Sequence, residues 1–344
     1  MSVQPETNDR TAMPVHPELV PAFEALPKFS DPYEDIEATR DGFHAMLAAF
    51  PADRTGVCSE RFGIPRTDGS ALTVEVYRPE GAVDAAPGEG AHGDAPGSAL
   101  PAVLHFHGGG FALGRSLPGQ DRVAIELCRA LPAVIITVEY RLAPEHRYPA
   151  GVEDCYRALE WVAGRAAGLG IDPGRIAVAG KSAGGGLSAA VALMARDRGG
   201  PALAHQSLCV PDLDDRVGAD EAPAEGALDT RVLDGRGVQK SWKHYLPEGT
   251  AKAEAYAAPS RATELSGLPP AYVLVCDLDP MRDAGLAYAR RLMDAGVAVT
   301  VRNVPGAWHG FELFAPDTRV AREMTAHWTG QLRAALHPVC PAVV

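Results

Sequence analysis

The sequence predicts a protein of the α/β class, with a mostly parallel central sheet and helices on both faces. Two observations carry the prediction. From Leu100 onward, short apolar runs alternate with longer amphipathic segments, the order expected of β-α-β crossovers. Within that stretch AVIITVEY (133–140) is a β-branched run with the composition of a strand covered on both faces.

The elements follow in chain order. Residues 1 to about 50 hold Pro14, Pro17 and Pro21 and then a polar–apolar stretch, 35–50, that reads as helix. ALTVEVYRP (71–79) opens with strand-like alternation. Residues 81–100 are rich in Gly, Ala and Pro and read as a connecting surface loop. PAVLHFH (101–107) is a strand, 120–130 a helix, 133–140 a strand and 152–167 a helix. RIAVAG (175–180) is a strand and 183–197 a helix. Later come strand AYVLV (271–275), a helix over 284–295, strand VTVRNV (299–304) and a helix over about 319–336. Residues 211–258 break the alternation. They are polar, acidic and Gly-containing, with Trp242, His244 and Tyr245 close together, and read as an insertion between core elements.

A length of 344 residues suggests one large domain or two small ones and permits a sizeable core without staples. Hydrophobic residues at 46% and charged residues at 22% fit a soluble globular chain. The formal charge of -12 argues against nucleic acid or an anionic membrane as main partner, since both reward clustered Lys and Arg. Cys58, Cys128, Cys155, Cys209, Cys276 and Cys340 are scattered without a CxxC pair, which suits small reduced hydrophobes better than a disulfide framework or zinc site. The polar N-terminus lacks a signal peptide's basic start and apolar core, and no apolar run nears the roughly 18 residues of a membrane span. A cytoplasmic location is the default expectation.

Gly180-Lys181-Ser182-Ala183-Gly184 fits G-x-S-x-G between the strand RIAVAG and a small-residue helix. A sharp strand-to-helix turn there strains the serine and lifts its Oγ above the sheet edge, the nucleophile elbow of the α/β-hydrolase fold. The helix N-terminus behind it favours developing negative charge. His107-Gly108-Gly109-Gly110 follows directly on strand 101–107. Its glycines let backbone N–H groups approach a carbonyl oxygen, so Gly108 and Gly109 are expected to join the Ala183 N–H as oxyanion donors. A phosphate loop would need a following Lys or a GxGxxG pattern, and neither is present.

In this fold the triad runs Ser, Asp/Glu, His along the chain. Asp277, Asp279 and Asp283 follow strand AYVLV, and His309 follows strand VTVRNV. His309 is the expected general base. His205 precedes the acids, His244 lies in the insertion, and His327 and His337 fall in or just after the last helix. Spacing alone does not choose between Asp277 and Asp279.

The motifs together resemble the hormone-sensitive-lipase-like esterases, bacterial family IV. The resemblance runs through most of 100–336. Its most specific pieces are HFHGGGF (105–111), EYRLAPEHRYPA (139–150) with Asp154, GKSAGGGL (180–187), SGLPPAYVLVCDLDPMRDAG (266–285) and WHGFE (308–312). The family's triad aspartate opens a DPLRD-type segment, here Asp279-Pro280-Met281-Arg282-Asp283, so the resemblance selects Asp279. It also implies a helical cap made of residues 1–50 and 211–258, over a hydrolase core of 51–210 and 259–344. It implies cleavage of small-molecule carboxylic esters of short or medium acyl chains, no cofactor or metal, no stable membrane insertion and, as in some members, a homodimer built on the last strand or helix. Arg141, Glu145 and Asp154 are read as support for the oxyanion loop, alongside His107 and Gly110 within it.

The chain departs from the family at Lys181, where the residue before the nucleophile is usually Asp. Either Lys181 is a solvated lysine or it acts electrostatically near the oxyanion or on a substrate carboxylate. Trp308, beside His309, either narrows the pocket or packs. Two other functions are weighed: a biosynthetic acyl transferase, deacetylase or elimination enzyme, and a binding-only relative. Loss of Ser or His would mark the latter, and both are present.

Overall fold

The computed structural model describes residues 14–26, 31–48, 52–81, 99–115, 121–219, 233–248 and 250–338. Eight strands form one sheet in the order β1-β2-β4-β3-β5-β6-β7-β8. They are β1 (Val57–Pro65), β2 (Ala71–Pro79), β3 (Leu100–Phe106), β4 (Val134–Val138), β5 (Ile171–Lys181), β6 (His205–Cys209), β7 (Ala271–Cys276) and β8 (Val299–Val304). β1 pairs antiparallel with β2, and β2 with β4; every later pairing is parallel. This is the α/β-hydrolase architecture the elbow motif predicts.

Every residue of β4, β6 and β7 is buried, because helices cover both faces. Period-2 alternation sends Leu104, Ile136 and Val178 to one face and Val103, Ile135 and Ala177 to the other. The first face packs α4 (Ala150–Gly164) and α5 (Ala183–Asp197), with α7 (Arg282–Asp294) beside α5. The second packs α3 (Asp121–Ala130) and α9 (Arg319–Leu336). β8 closes one edge and is only partly covered.

Two strands escape sequence reading. β6 is His-Gln-Ser-Leu-Cys, which looks polar, yet His205, Gln206 and Ser207 are all buried. Gln206 donates to the Pro269 carbonyl, and Ser207 accepts the Trp328 indole N–H at 2.7 Å. β1 carries mixed polarity because it is the other edge strand. The 133–140 run is strand only over Val134–Val138, and β5 begins at Ile171, four residues before the RIAVAG run.

The N-terminal stretch forms two short helices, α1 (Val20–Ala25) and α2 (Ile36–Ala48), and the 211–258 stretch forms α6 (Gly235–Tyr245). Parts of both stretches, and most of the predicted loop 81–100, lie outside the described residues. So does Cys340, while the other five cysteines are free thiols. Among the described residues no helix is long and apolar enough to cross a membrane.

Candidate active site

β5 ends at Lys181 and α5 begins at Ala183, so Ser182 alone makes the turn, at φ 57° and ψ -125°. A non-glycine residue at positive φ costs on the order of 1–3 kcal/mol and persists only where its surroundings fix it. Here they do. The Ser182 N–H donates to the Cys209 carbonyl at 2.9 Å, and its own carbonyl accepts from Gly186 N–H at 3.1 Å and Asp212 N–H at 3.0 Å. Glycine at 184 is a packing requirement, since a Cβ there would collide with the carbonyl oxygens of Phe106 and His107.

The loop after β3 meets this turn from the side. A Cβ on Gly108 would lie 2.9 Å from the Lys181 carbonyl oxygen and 3.4 Å from Ser182 Cβ. Gly109 sits at φ +121°, a conformation suited to glycine, and its carbonyl accepts from Leu113 N–H at 2.7 Å. Among the described residues the N–H groups of Gly108, Gly109 and Ala183 donate to no hydrogen bond. His107 is buried behind the loop. Its ring stacks on Tyr140 at 4.2 Å, and the Tyr140 hydroxyl donates to the His107 carbonyl at 2.8 Å. Burial lowers the His107 pKa to about 4, so the ring is neutral near pH 7. Gly110 lies under Tyr33 and Ser241, where any side chain would strike the Tyr33 hydroxyl.

His309 follows β8, and its Nδ1 lies 2.7 Å from Asp279 Oδ2. The other Asp279 oxygen accepts the Met281 N–H at 2.9 Å, and Asp279 is only 1% exposed. The structure therefore brings Asp279, not Asp277, against the imidazole. Asp277 instead accepts from Asn303 at 2.5 Å and from Gly306 N–H at 3.0 Å, which shapes the loop leading to His309. Asp283 pairs with its neighbour Arg282. Burial pulls the His309 pKa down, but the charge and hydrogen bond of Asp279, joined by Glu312 and Asp212, outweigh it and leave the pKa raised.

The other histidines are engaged elsewhere. His205 is buried in β6, His244 stacks on Tyr33 at 5.5 Å, His327 meets the Tyr272 hydroxyl at 3.0 Å, and His337 caps α9. Trp308 is 1% exposed and packs between Phe23 and Phe311 in the core, so it does not narrow a pocket.

Asp154 gathers two guanidiniums. It accepts from Arg66 Nε and Nη2, from Arg141 Nε and Nη2, and from the Arg141 backbone N–H, all at 2.9–3.0 Å. This fixes the segment after Tyr140, whose ring backs the oxyanion loop. Glu145 holds Arg40 of α2 through two hydrogen bonds of 2.7 and 2.9 Å. Arg40 also donates to the carbonyls of Ala112 and Ala143, so one side chain ties α2 to the end of the oxyanion loop. Nothing in the pattern of 1–50 singles out Arg40, because its partners lie 72–105 residues away.

Lys181 is not solvated. Its Nζ lies 2.8 Å from Glu312 Oε1 and 5.0 Å from the Trp328 ring, and both charged side chains are largely buried. Asp212 was not singled out by sequence either. It is 2% exposed and accepts the Trp242 indole N–H at 3.0 Å, which anchors α6 beside the nucleophile turn. Burial raises its pKa to about 7.

Known proteins place the chain in a family. A family described as alpha/beta hydrolase fold matches residues 103–313. The chain belongs to the hormone-sensitive-lipase-like α/β hydrolases. It is 43% identical to carboxylesterase NlhH of Mycobacterium tuberculosis over 248 residues, covering 69% of this chain and 75% of that protein. It is 38% identical to an arylesterase of Saccharolobus solfataricus over 226 residues, covering 65% and 71%. Among solved structures it superimposes on a bacterial heroin esterase with a TM-score of 0.82 at 37% identity, covering 94% of this chain and 98% of the other. An esterase of the archaeon Pyrobaculum calidifontis gives a TM-score of 0.76 at 34% identity, with 94% and 99% covered. The enzyme class is that of the carboxylic ester hydrolases.

Proposed function

We propose that this enzyme hydrolyses short- to medium-chain carboxylic esters through an acyl-enzyme on Ser182. Ser182 Oγ attacks the ester carbonyl carbon while His309 Nε2 takes its proton. Asp279 keeps the other imidazole nitrogen protonated and stabilises the imidazolium. The N–H groups of Gly108, Gly109 and Ala183 receive the developing oxyanion, reinforced by the N-terminus of α5. Collapse expels the alcohol, which leaves with the proton from His309. Water, deprotonated by the same imidazole, then attacks the acyl carbonyl and releases the acid and free Ser182. Helices α1, α2 and α6 serve as the cap; α2, the turn before it and α6 rest on the oxyanion loop through Arg40, Tyr33 and Ser241, while Phe23 of α1 packs on Trp308 beside His309.

The observation that carries this reading is the 2.7 Å contact of His309 with buried Asp279, in a chain that also holds a strained serine turn. The test is an acyl-chain-length series of p-nitrophenyl esters on the wild type and Ser182→Ala. Turnover should be greatest on the shorter acyl chains. Ser182→Ala should lose at least about 10⁴-fold in kcat. A wild type inactive on every ester would overturn the substrate class, and full activity in Ser182→Ala would overturn the nucleophile.

A further inference from the structure

Lys181 and Glu312 lie 131 residues apart in sequence, yet their charged atoms are 2.8 Å apart. Lys181 is the residue immediately before the nucleophile. Glu312 sits in α8 (Phe311–Phe314), three residues after His309. The contact therefore runs from the end of β5 to the segment carrying the imidazole, across the tops of β6 and β7. Their side chains are 21% and 14% exposed, so solvent screening is weak. The Trp328 ring lies 5.0 Å from Nζ and covers the cation.

We propose that the Lys181–Glu312 pair is a positioning tie for the ester hydrolysis set out above, holding the His309 segment at a fixed distance from the Ser182 turn and balancing the charge beside the imidazole. Asp279 anchors His309 to the end of β7; the tie anchors the same segment to β5. The imidazole is thus held from two directions, neither of which blocks the nitrogen facing Ser182. Removing one partner leaves a buried, uncompensated charge next to the reacting groups, a costly situation.

Asp279 and Asp212 act on His309 together with Glu312. Around Lys181 lie Glu126 of α3 and Cys209 of β6 as well as Glu312, and Lys181 in turn acts on His105 of β3. Glu312 raises the proton affinity of His309, while Lys181 lowers that of Glu312. By Coulomb's law the ammonium 2.8 Å from Glu312 offsets part of the field that this carboxylate exerts on the imidazole.

The test compares Glu312→Gln, Lys181→Met and the exchange Lys181→Glu with Glu312→Lys, by pH profiles of kcat/KM on p-nitrophenyl butyrate. A fluorophosphonate titration of Ser182 counts the competent enzyme in each preparation, so misfolded protein does not enter the rates. Glu312→Gln keeps an acceptor for Lys181 but loses the charge, and its acidic midpoint should fall by about half a pH unit or more. Lys181→Met leaves Glu312 unbalanced, and its midpoint should rise by a similar amount. Lys181→Met should also lose roughly 10- to 100-fold in kcat with KM little changed, as expected for a displaced base. The exchange should recover most of that kcat. Midpoints that stay put or move together, or an exchange no better than Lys181→Met, would overturn the tie. A wild-type profile with no acidic limb would instead overturn His309 as the base.

Discussion

Replacing Asp279 with asparagine keeps the shape of a buried side chain and reverses its chemistry toward the imidazole. One Asp279 oxygen accepts the Met281 N–H at 2.9 Å and the other faces His309 Nδ1 at 2.7 Å. Asparagine has one acceptor and one donor group. The backbone N–H has no other polarity to offer, so the amide oxygen turns to Met281 and the amide NH₂ faces His309. Nδ1 must then accept, the proton moves to Nε2, and the nitrogen that should take the Ser182 proton is already occupied. In a serine protease triad the corresponding change lowers kcat about 10⁴-fold. At about 1.36 kcal/mol per decade that is roughly 5.4 kcal/mol of transition-state stabilisation. The same substitution removes the charge that raises the His309 pKa and leaves the burial that lowers it. The acidic limb of any residual activity should therefore fall below the ordinary value of 6.5. Steady-state kinetics on p-nitrophenyl butyrate, with a thermal melt to establish folding, make the comparison. Asp277→Asn is the control, because its carboxylate accepts from Asn303 and the Gly306 N–H and not from His309, and it should cost less than about tenfold in kcat. Asp279→Asn retaining more than a tenth of wild-type kcat, or Asp277→Asn losing as much, would refute the reasoning.

Three further outcomes follow from the geometry. Asp154→Ala strands Arg66 and Arg141 and should cost about 3–5 kcal/mol in urea unfolding at pH 7. Burial raises the Asp154 pKa, but the two arginines outweigh it and hold the value below the ordinary 3.8, so the wild-type advantage should be full above about pH 4 and vanish as pH falls further. Asp212 shows the opposite sign: its folded pKa of about 7 lies above the unfolded value, so its contribution is complete below about pH 4 and is lost as pH rises to 7. Urea titrations of the wild type against Asp212→Asn should show a difference shrinking by on the order of a few kcal/mol over that window and flat above it. Gly109→Ala puts a Cβ onto the Leu113 carbonyl at φ +121°; the displaced N–H donors should cost about 10²–10³ in kcat, read by active-site-titrated kinetics.

The chain order of residues by itself determined the α/β class, the elbow at Ser182 and the glycine loop at 108–110. The reason is that each is local. A buried parallel strand needs a continuous apolar run, and a strand-to-helix turn needs glycines two positions to either side of one serine. Helices 183–197 and 319–336 and strand 299–304 are legible for the same reason. β6 is not, because the Gln206 amide N–H and the Ser207 hydroxyl bond to Pro269 and Trp328, partners invisible to periodicity.

The family resemblance pointed to Asp279, but only the fold put its carboxylate on His309 while giving Asp277 to the neighbouring loop. The same holds for Lys181. As a lysine in a turn motif it reads either as a solvated charge or as an electrostatic aid near the oxyanion or a substrate carboxylate; its burial against Glu312 and Trp328 follows from β5 and α8 meeting over two intervening strands. Arg40, Asp212 and Glu312 act through partners 30 to 131 residues away. Long-range electrostatic pairing has no period in sequence. It exists only once the sheet has set its strand order, and that is why the turn carrying Ser182 was legible and the charges that surround it were not.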